Sequence, residues 1–242
     1  MLDCDNIPLF PLQAVLFPGT SIPLHIFEPR YRQMVDECLT RKRPFGVVLI
    51  RSGSEIDDGG APPEIYRVGC LARIEHTQKL DDGRYFIEAI GSVRFTLKQM
   101  STTQPYLTAT VTPLDEHSSD SAMLDTLCQY VRDEFRTYIV KLLERMNQPV
   151  SAIQFPDDPT ALSFAVAGAM DIPLTDKQSL LEAPSTDERL DMEIQLLKSR
   201  NEDFRDSAPP TGDENRQEAP NAQSTKIKRL TASAVRSLLS RN

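Results

Sequence analysis

Pro23-Leu24-His25-Ile26-Phe27-Glu28-Pro29-Arg30-Tyr31-Arg32 is the stretch on which the reading of this chain turns. Leu24 and Ile26 alternate with His25 and Phe27, the period of a strand. Pro29 then suits the first turn of a helix, where its missing N–H removes no hydrogen bond. Behind it, Tyr31, Met34, Val35, Cys38 and Leu39 fall at i, i+3, i+4, i+7 and i+8, one apolar face of a helix over 29–41. Arg30, Arg32, Asp36 and Glu37 fall on the other face.

Reading outward, Ile7-Pro8-Leu9-Phe10-Pro11-Leu12 and Val15-Leu16-Phe17-Pro18-Gly19 precede this stretch as short apolar segments punctuated by Pro and Gly. Phe45-Gly46-Val47-Val48-Leu49-Ile50 follows; it is apolar throughout and predicts a strand covered on both faces. Residues 51–63 are rich in Gly, Ser, Asp and Pro and predict an exposed loop. Val68, Cys70, Ala72 and Ile74 resume the alternation, Asp81-Asp82-Gly83 predicts a hairpin turn, and Tyr85 to Leu97 returns as a strand with a bulge or break at Gly91. Val93, Phe95 and Leu97 are expected on one face and Arg94, Thr96 and Lys98 on the other; Tyr106 to Thr112 is the last expected strand.

After Pro113 the period lengthens to about 3.6 residues. Leu124, Leu127, Val131, Phe135, Tyr138 and Leu142 form one stripe of a long helix expected to start near Ser119, and Cys128, Ile139, Leu143 and Met146 widen it. Shorter helices are expected over 159–170 and 176–182. Ser185-Thr186-Asp187-Glu188 matches a capping box ahead of a final helix lined by Leu190, Ile194, Leu197 and Phe204. From Asp206 the chain turns polar and is expected to be a disordered tail, with a short basic amphipathic helix through Leu230, Val235, Leu238 and Leu239.

The segments 23–32, Phe17-Pro18-Gly19, Phe45-Gly46-Val47-Val48, Val68-Gly69, Gly83-Arg84, Gly91-Ser92-Val93-Arg94-Phe95, Lys177-Gln178-Ser179-Leu180-Leu181-Glu182 and Arg189-Leu190 stand in the order and spacing of one known family. Over about residues 7–204 the chain resembles the amino-terminal, substrate-binding domain of Lon proteases, most of all its stand-alone members. The resemblance implies an α+β fold: a PUA-like β pseudo-barrel over 1–116, a helical bundle over 117–205, then the polar tail over 206–242. It also implies a non-enzymatic module that binds unfolded or specific polypeptides, as an adaptor working with a protease or chaperone. No GxxxxGK[ST] phosphate loop occurs in the 242 residues, so no nucleotide cradle of that kind is expected. The alternative implied by a PUA-like barrel is RNA binding.

Charge weighs against that alternative. The formal net charge is −8, but residues 206–242 hold six basic against four acidic side chains, which leaves −10 on the first 205. An acidic body repels phosphate backbones, so nucleic acid is not the expected partner. Cysteines stand at 4, 38, 70 and 128, none within four residues of another; no zinc or redox motif is present, and buried thiols are expected. No run of eighteen apolar residues predicts a membrane span, and the acidic start Met1–Asn6 lacks the apolar region of a secretory signal, so the cytoplasm is the expected compartment.

No pattern commits to catalysis. His25 and Glu28 straddle a strand end and a helix start, where Glu28 is accounted for by the helix dipole. Cys70 and His76 would lie roughly 20 Å apart on an extended strand. Lys177 and Ser179 point different ways on a helix. No cofactor or metal is expected. For polypeptide binding the candidate residues are Phe17, Pro18, Phe27, Arg30 and Tyr31, at the Pro-rich entry and the helix entry, where exposed apolar side chains would make a groove.

Overall fold

The computed structural model describes residues 4–55, 62–119, 122–149 and 153–206, with side chains to Phe204 in its last helix. The expected tail from 207 onward, and most of the tip of the 51–63 loop, lie outside the described residues. Six strands and five helices are present among them: β1 (Ile7–Leu12), β2 (Ser21–Ile26), α1 (Pro29–Arg41), β3 (Phe45–Ser52), β4 (Glu64–Lys79), β5 (Tyr85–Ser101), β6 (Thr108–Pro113), α2 (Ala122–Arg145), α3 (Pro159–Ala169), α4 (Leu174–Glu182) and α5 (Thr186–Asp206). The fold is mixed α+β.

The sheet runs in the order β2-β5-β4-β3-β1-β6, and β6 also pairs with β5. β5, β4, β3, β1 and β6 therefore close into a ring, and β2 is added outside it on β5. The two long strands make this possible. β5 spends its first half on β2 (Ser21↔Ile90 to Ile26↔Tyr85) and its second half on β6 (Phe95↔Pro113 to Ser101↔Thr108), while β4 accompanies it from Tyr85 to Thr96. One residue of β5, Ser92, has no counterpart between Leu71↔Val93 and Ala72↔Gly91, a bulge at the expected place that bends the strand between its two partners. β3 is buried over Phe45–Ile50, as its unbroken apolar run requires.

Inside the ring, Ile7, Leu9, Val48, Leu71, Phe95, Leu97, Ala109 and Val111 form one core cluster. Phe95 is completely buried. A Cβ on Gly69 would stand 2.7 Å from its ring and 2.5 Å from the Val47 carbonyl oxygen, so the ring occupies the space that this glycine leaves.

The described residues divide into two compact units: those up to 115 together with 172–182, and those from 116 to 171 together with 183–206. In the first, α4 lies against β4, where Gln178 Nε2 donates to the Val68 carbonyl (3.0 Å). Arg94, which strand alternation puts on the solvent face, is buried instead; its Nη1 donates to the Leu181 carbonyl of α4 (2.7 Å). In the second, α2 and α5 run parallel: Ser119 bonds Asp187 at one end, Asn201 Nδ2 donates to Glu134 further along, and Tyr138 packs on Phe204. α3 packs against both. Met146 corrects the sequence expectation. α2 ends at Arg145, Asn147 takes a left-handed φ of 52°, and Met146 turns outward, 54% exposed, instead of joining the apolar stripe. The final strand is likewise shorter than expected at its start: pairing begins at Thr108, although Tyr106 is buried.

The capping box of α5 forms with one variation. The Glu188 N–H donates to Ser185 Oγ (3.2 Å), and that hydroxyl donates to Glu188 Oε1 (3.2 Å), so the carboxylate reaches the side chain of Ser185.

Candidate functional site

The segment from Phe17 to Tyr31 positions the surface on which the sequence places its candidate residues. Phe17-Pro18-Gly19-Thr20 is a type II turn: the Thr20 N–H donates to the Phe17 carbonyl (3.1 Å), Pro18 holds the second position, and Gly19 takes φ 75° at the third. The turn is fastened to β5 through Gly19 N–H to Gly91 O and Gly91 N–H to Thr20 O, both 2.9 Å. A Cβ at position 91 would stand 2.2 Å from the Phe17 carbonyl oxygen, so only glycine admits this approach. The same turn folds Phe17 into the core at 0% exposure, and Pro18 alone of the pair reaches solvent, half-buried. Tyr31, on the inner face of α1, is also buried; it packs on Phe10 with ring centroids 4.3 Å apart. Neither Phe17 nor Tyr31 presents a surface to a partner, because each faces the core side of its element.

Phe27 and Arg30 do reach the surface. Phe27 directly follows β2 and is 48% exposed. Arg30 is committed locally: Nε donates to Glu28 Oε2 (2.9 Å), Nη2 to the Glu55 carbonyl (3.5 Å), and its guanidinium lies 4.5 Å from the Tyr31 ring centroid. It braces the entry to α1, whose N-cap Glu28 makes no side-chain capping bond of its own.

What the structure adds is two further rings beside Phe27. Along β2 the odd positions Pro23 and His25 point outward while Ile22, Leu24 and Ile26 are buried. The Gly91–Thr20 bond fixes the antiparallel alternation, so His25 and Phe86 form one of the non-hydrogen-bonded pairs, in which side chains come closest. His25 stacks on Phe86 with centroids 4.5 Å apart at 18°, and Phe27 lies 5.9 Å from His25. Phe86 is 48% exposed. Three aromatic rings thus form one outward patch, bordered by Pro23 on the strand that ends the sheet. Sequence reasoning passes over Phe86 because Tyr85-Phe86-Ile87 is apolar throughout; its signal is that it stands opposite His25 across the hairpin.

A second concavity borders α1. An open groove of about 600 Å³ is lined by Arg32, Gln33, Asp36, Glu37, Thr40, Arg41, Lys79 and neighbouring Pro29 and Gly83. Its floor is polar. Tyr85 donates its hydroxyl to Asp36, Lys79 Nζ stands 3.6 Å from the same carboxylate, and the Tyr85 bond followed by the Asp36 charge holds the Lys79 ammonium above its ordinary pKa. No group of three His, Cys, Asp or Glu able to hold a metal occurs among the described residues. Cys38, Cys70 and Cys128 are buried and Cys4 is half-buried, with no disulfide among the described residues. No helix among the described residues is long and apolar enough to cross a membrane.

Comparison with known proteins agrees with this architecture. A structure titled as a Lon N-terminal domain protein from Xanthomonas campestris superposes with a TM-score of 0.55 at 26% identity, covering 80% of this chain and 97% of that one. The N-terminal domain of a Mycobacterium avium complex Lon protease gives 0.57 at 17% identity over 82% and 98%, a likeness of fold. Among curated sequences, Lon protease 2 of Syntrophobacter fumaroxidans is 29% identical over 75% of this chain, and Lon protease of Anaeromyxobacter dehalogenans 25% over 81%. The chain spans 23% of the length of each of these two relatives. The family model of the ATP-dependent protease La (LON) substrate-binding domain matches residues 6–199. The chain belongs to the LON substrate-binding domain family.

Proposed function

We propose that this chain is a polypeptide-recognition module that holds unfolded or locally exposed chain segments on the Phe27–His25–Phe86 patch. The observation that carries the reading is the patch itself: two half-exposed phenylalanines and a stacked histidine, set side by side by the register of β2 on β5. Apolar surface left in water is unfavourable by roughly 25 cal/mol per Å², and an apolar or aromatic side chain laid across these rings recovers it. Membership of a substrate-binding family supports polypeptide as the ligand class. Pro18 and Arg30 border the same entry segment, Arg30 offering the outer face of a guanidinium whose hydrogen bonds are spent on Glu28 and Glu55. The module acts as an adaptor, delivering what it holds to a separate protease or chaperone, and binding needs neither ATP nor a metal.

The test is fluorescence anisotropy with a labelled, permanently unfolded polypeptide and the Phe27→Ala/Phe86→Ala double variant. Loss of two aromatic contacts raises Kd at least tenfold, a change of about 1.4 kcal/mol, while the melting temperature stays within a few degrees. An unchanged Kd in a folded double variant ends this reading. Labelled single-stranded RNA at two salt concentrations is the companion titration; steeply salt-dependent RNA binding would transfer the module to nucleic acid.

A further inference from the structure

We propose that Glu193 is a proton-gated latch of the helical unit: it is held as the neutral acid while α5 lies against α2 and α3, and release of its proton loosens α5.

Glu193 is 0% exposed, and neither of its carboxyl oxygens has a hydrogen-bond partner among the described residues. A buried carboxylate with no donor is one of the most costly groups a core can hold; a neutral carboxylic acid costs far less. The obvious counter-ion is one turn back on the same helix. Arg189 is also fully buried, and two of its three guanidinium nitrogens are engaged elsewhere: Nε donates to Ser163 Oγ (2.8 Å), Nη2 to Thr186 Oγ1 (3.3 Å) and to Glu116 Oε2 (3.3 Å), and the guanidinium carbon lies 3.9 Å from the Phe164 ring centroid. Its charge is therefore shared with Glu116, and its pull on Glu193 offsets only part of the cost of burial. The order along the helix, Arg four residues before Glu, is also the weaker of the two i, i+4 arrangements.

Arg132 on α2 brings a positive charge to the same region, but its Nη2 donates to the Pro156 carbonyl (3.1 Å). α3, residues 159–169, contains no ionisable side chain. From α2 the Cys128 thiol lies within reach of the Glu193 charge, with Asp125 and Arg132 flanking that thiol; Asp187 on α5 adds a further negative charge nearby. Burial accordingly drives the Glu193 carboxyl well above the usual carboxylate range, with Arg189 pulling only partly in the other direction.

The sign of the effect follows. An acid whose folded pKa exceeds its unfolded value binds more protons in the folded state, so the unit loses stability as pH rises from about 4.3, the unfolded glutamate value, up to the folded one. Below that window the acid is neutral in both states and the latch is fully closed.

Amide hydrogen exchange of the buried face of α5, measured in the full chain and corrected for the base-catalysed intrinsic rate, gives the opening constant at each pH. In the native protein it rises by up to about tenfold per pH unit within the window, one proton being released on opening; in Glu193→Gln, which keeps the shape and cannot ionise, it stays flat. The native protein also shows a carboxyl ¹³C shift for Glu193 typical of a neutral acid at pH 6, a reading that decides the matter should the variant fail to fold. An ionised carboxyl shift at pH 6, or equal slopes in native protein and variant, overturns the proposal.

Discussion

His25 on β2 and Phe86 on β5 stack nearly parallel, ring centroids 4.5 Å apart, on the outer face of the sheet. The contact ties the two strands on the side away from the core, while Ile22, Leu24 and Ile26 tie them on the inside. On the function proposed above, stability and recognition fall on opposite faces of one strand pair.

That separation predicts opposite behaviour for two phenylalanines. Phe86→Ala removes a half-exposed ring and is expected to shift stability by no more than about 1 kcal/mol while weakening polypeptide capture. Phe17→Ala empties a fully buried site and is expected to cost about 3–5 kcal/mol. Urea unfolding beside anisotropy reads both; a Phe86 variant as unstable as the Phe17 variant would place the ring in the core.

Pro23 stands on β2, whose only strand partner among the described residues is β5, and at a non-hydrogen-bonded position its missing N–H falls on the open edge. The proline therefore blunts that edge against further strand pairing. Pro23→Val restores a donor and adds β propensity; sedimentation is expected to show a larger fraction of associated species at the same concentration. A sedimentation profile identical to that of the parent chain would deny the proline this role.

The cysteines should differ sharply in reactivity. Burial, opposed by Arg43, pushes the Cys38 thiol up to about 11, and Cys70 and Cys128 are buried as well. Under native conditions at pH 8 a thiol reagent is expected to label Cys4 first and the other three only on unfolding. Rapid labelling of Cys38 in the folded protein would contradict the packing of α1.

Acid acts on α5 through a second group, in the sense opposite to Glu193. Hydrogen bonds from the Ser119 hydroxyl and N–H hold the Asp187 carboxyl below the usual carboxylate range. A depressed carboxylate contributes stability above its unfolded value, about 3.9, and that contribution is lost as pH falls through the folded one. Ser119→Ala is expected to cost about 1 kcal/mol at pH 6, allowing for solvent screening at this exposed pair, and nothing well below pH 4. A gap that persists unchanged to pH 3 would show that the hydroxyl acts by packing.

How far the fold can be read from the sequence varies with how local its cause is. Helix 29–41 is legible because Pro29, the i, i+3, i+4 apolar spacing and the polar opposite face all lie within thirteen residues. The bulge beside Gly91 is legible for a similar reason. Arg94 is not: alternation sends it to solvent, and only the arrival of Leu181, 87 residues later, covers it. Closure of the ring is equally hidden, since nothing local in β5 says that its two halves take different partners. At the candidate site, Phe27 is visible as a ring at a strand end, whereas the burial of Phe17 and Tyr31 depends on what lies beneath them, and Phe86 acquires meaning only once register places it opposite His25.

The closed ring has a mechanical consequence. β1 is bonded on both flanks, to β3 in parallel and to β6 antiparallel, so a pull applied at its amino end must shear two ladders at once. β2 is held by β5 alone. Under load, the strand that carries His25 has a single ladder to lose, and losing it leaves the ring closed.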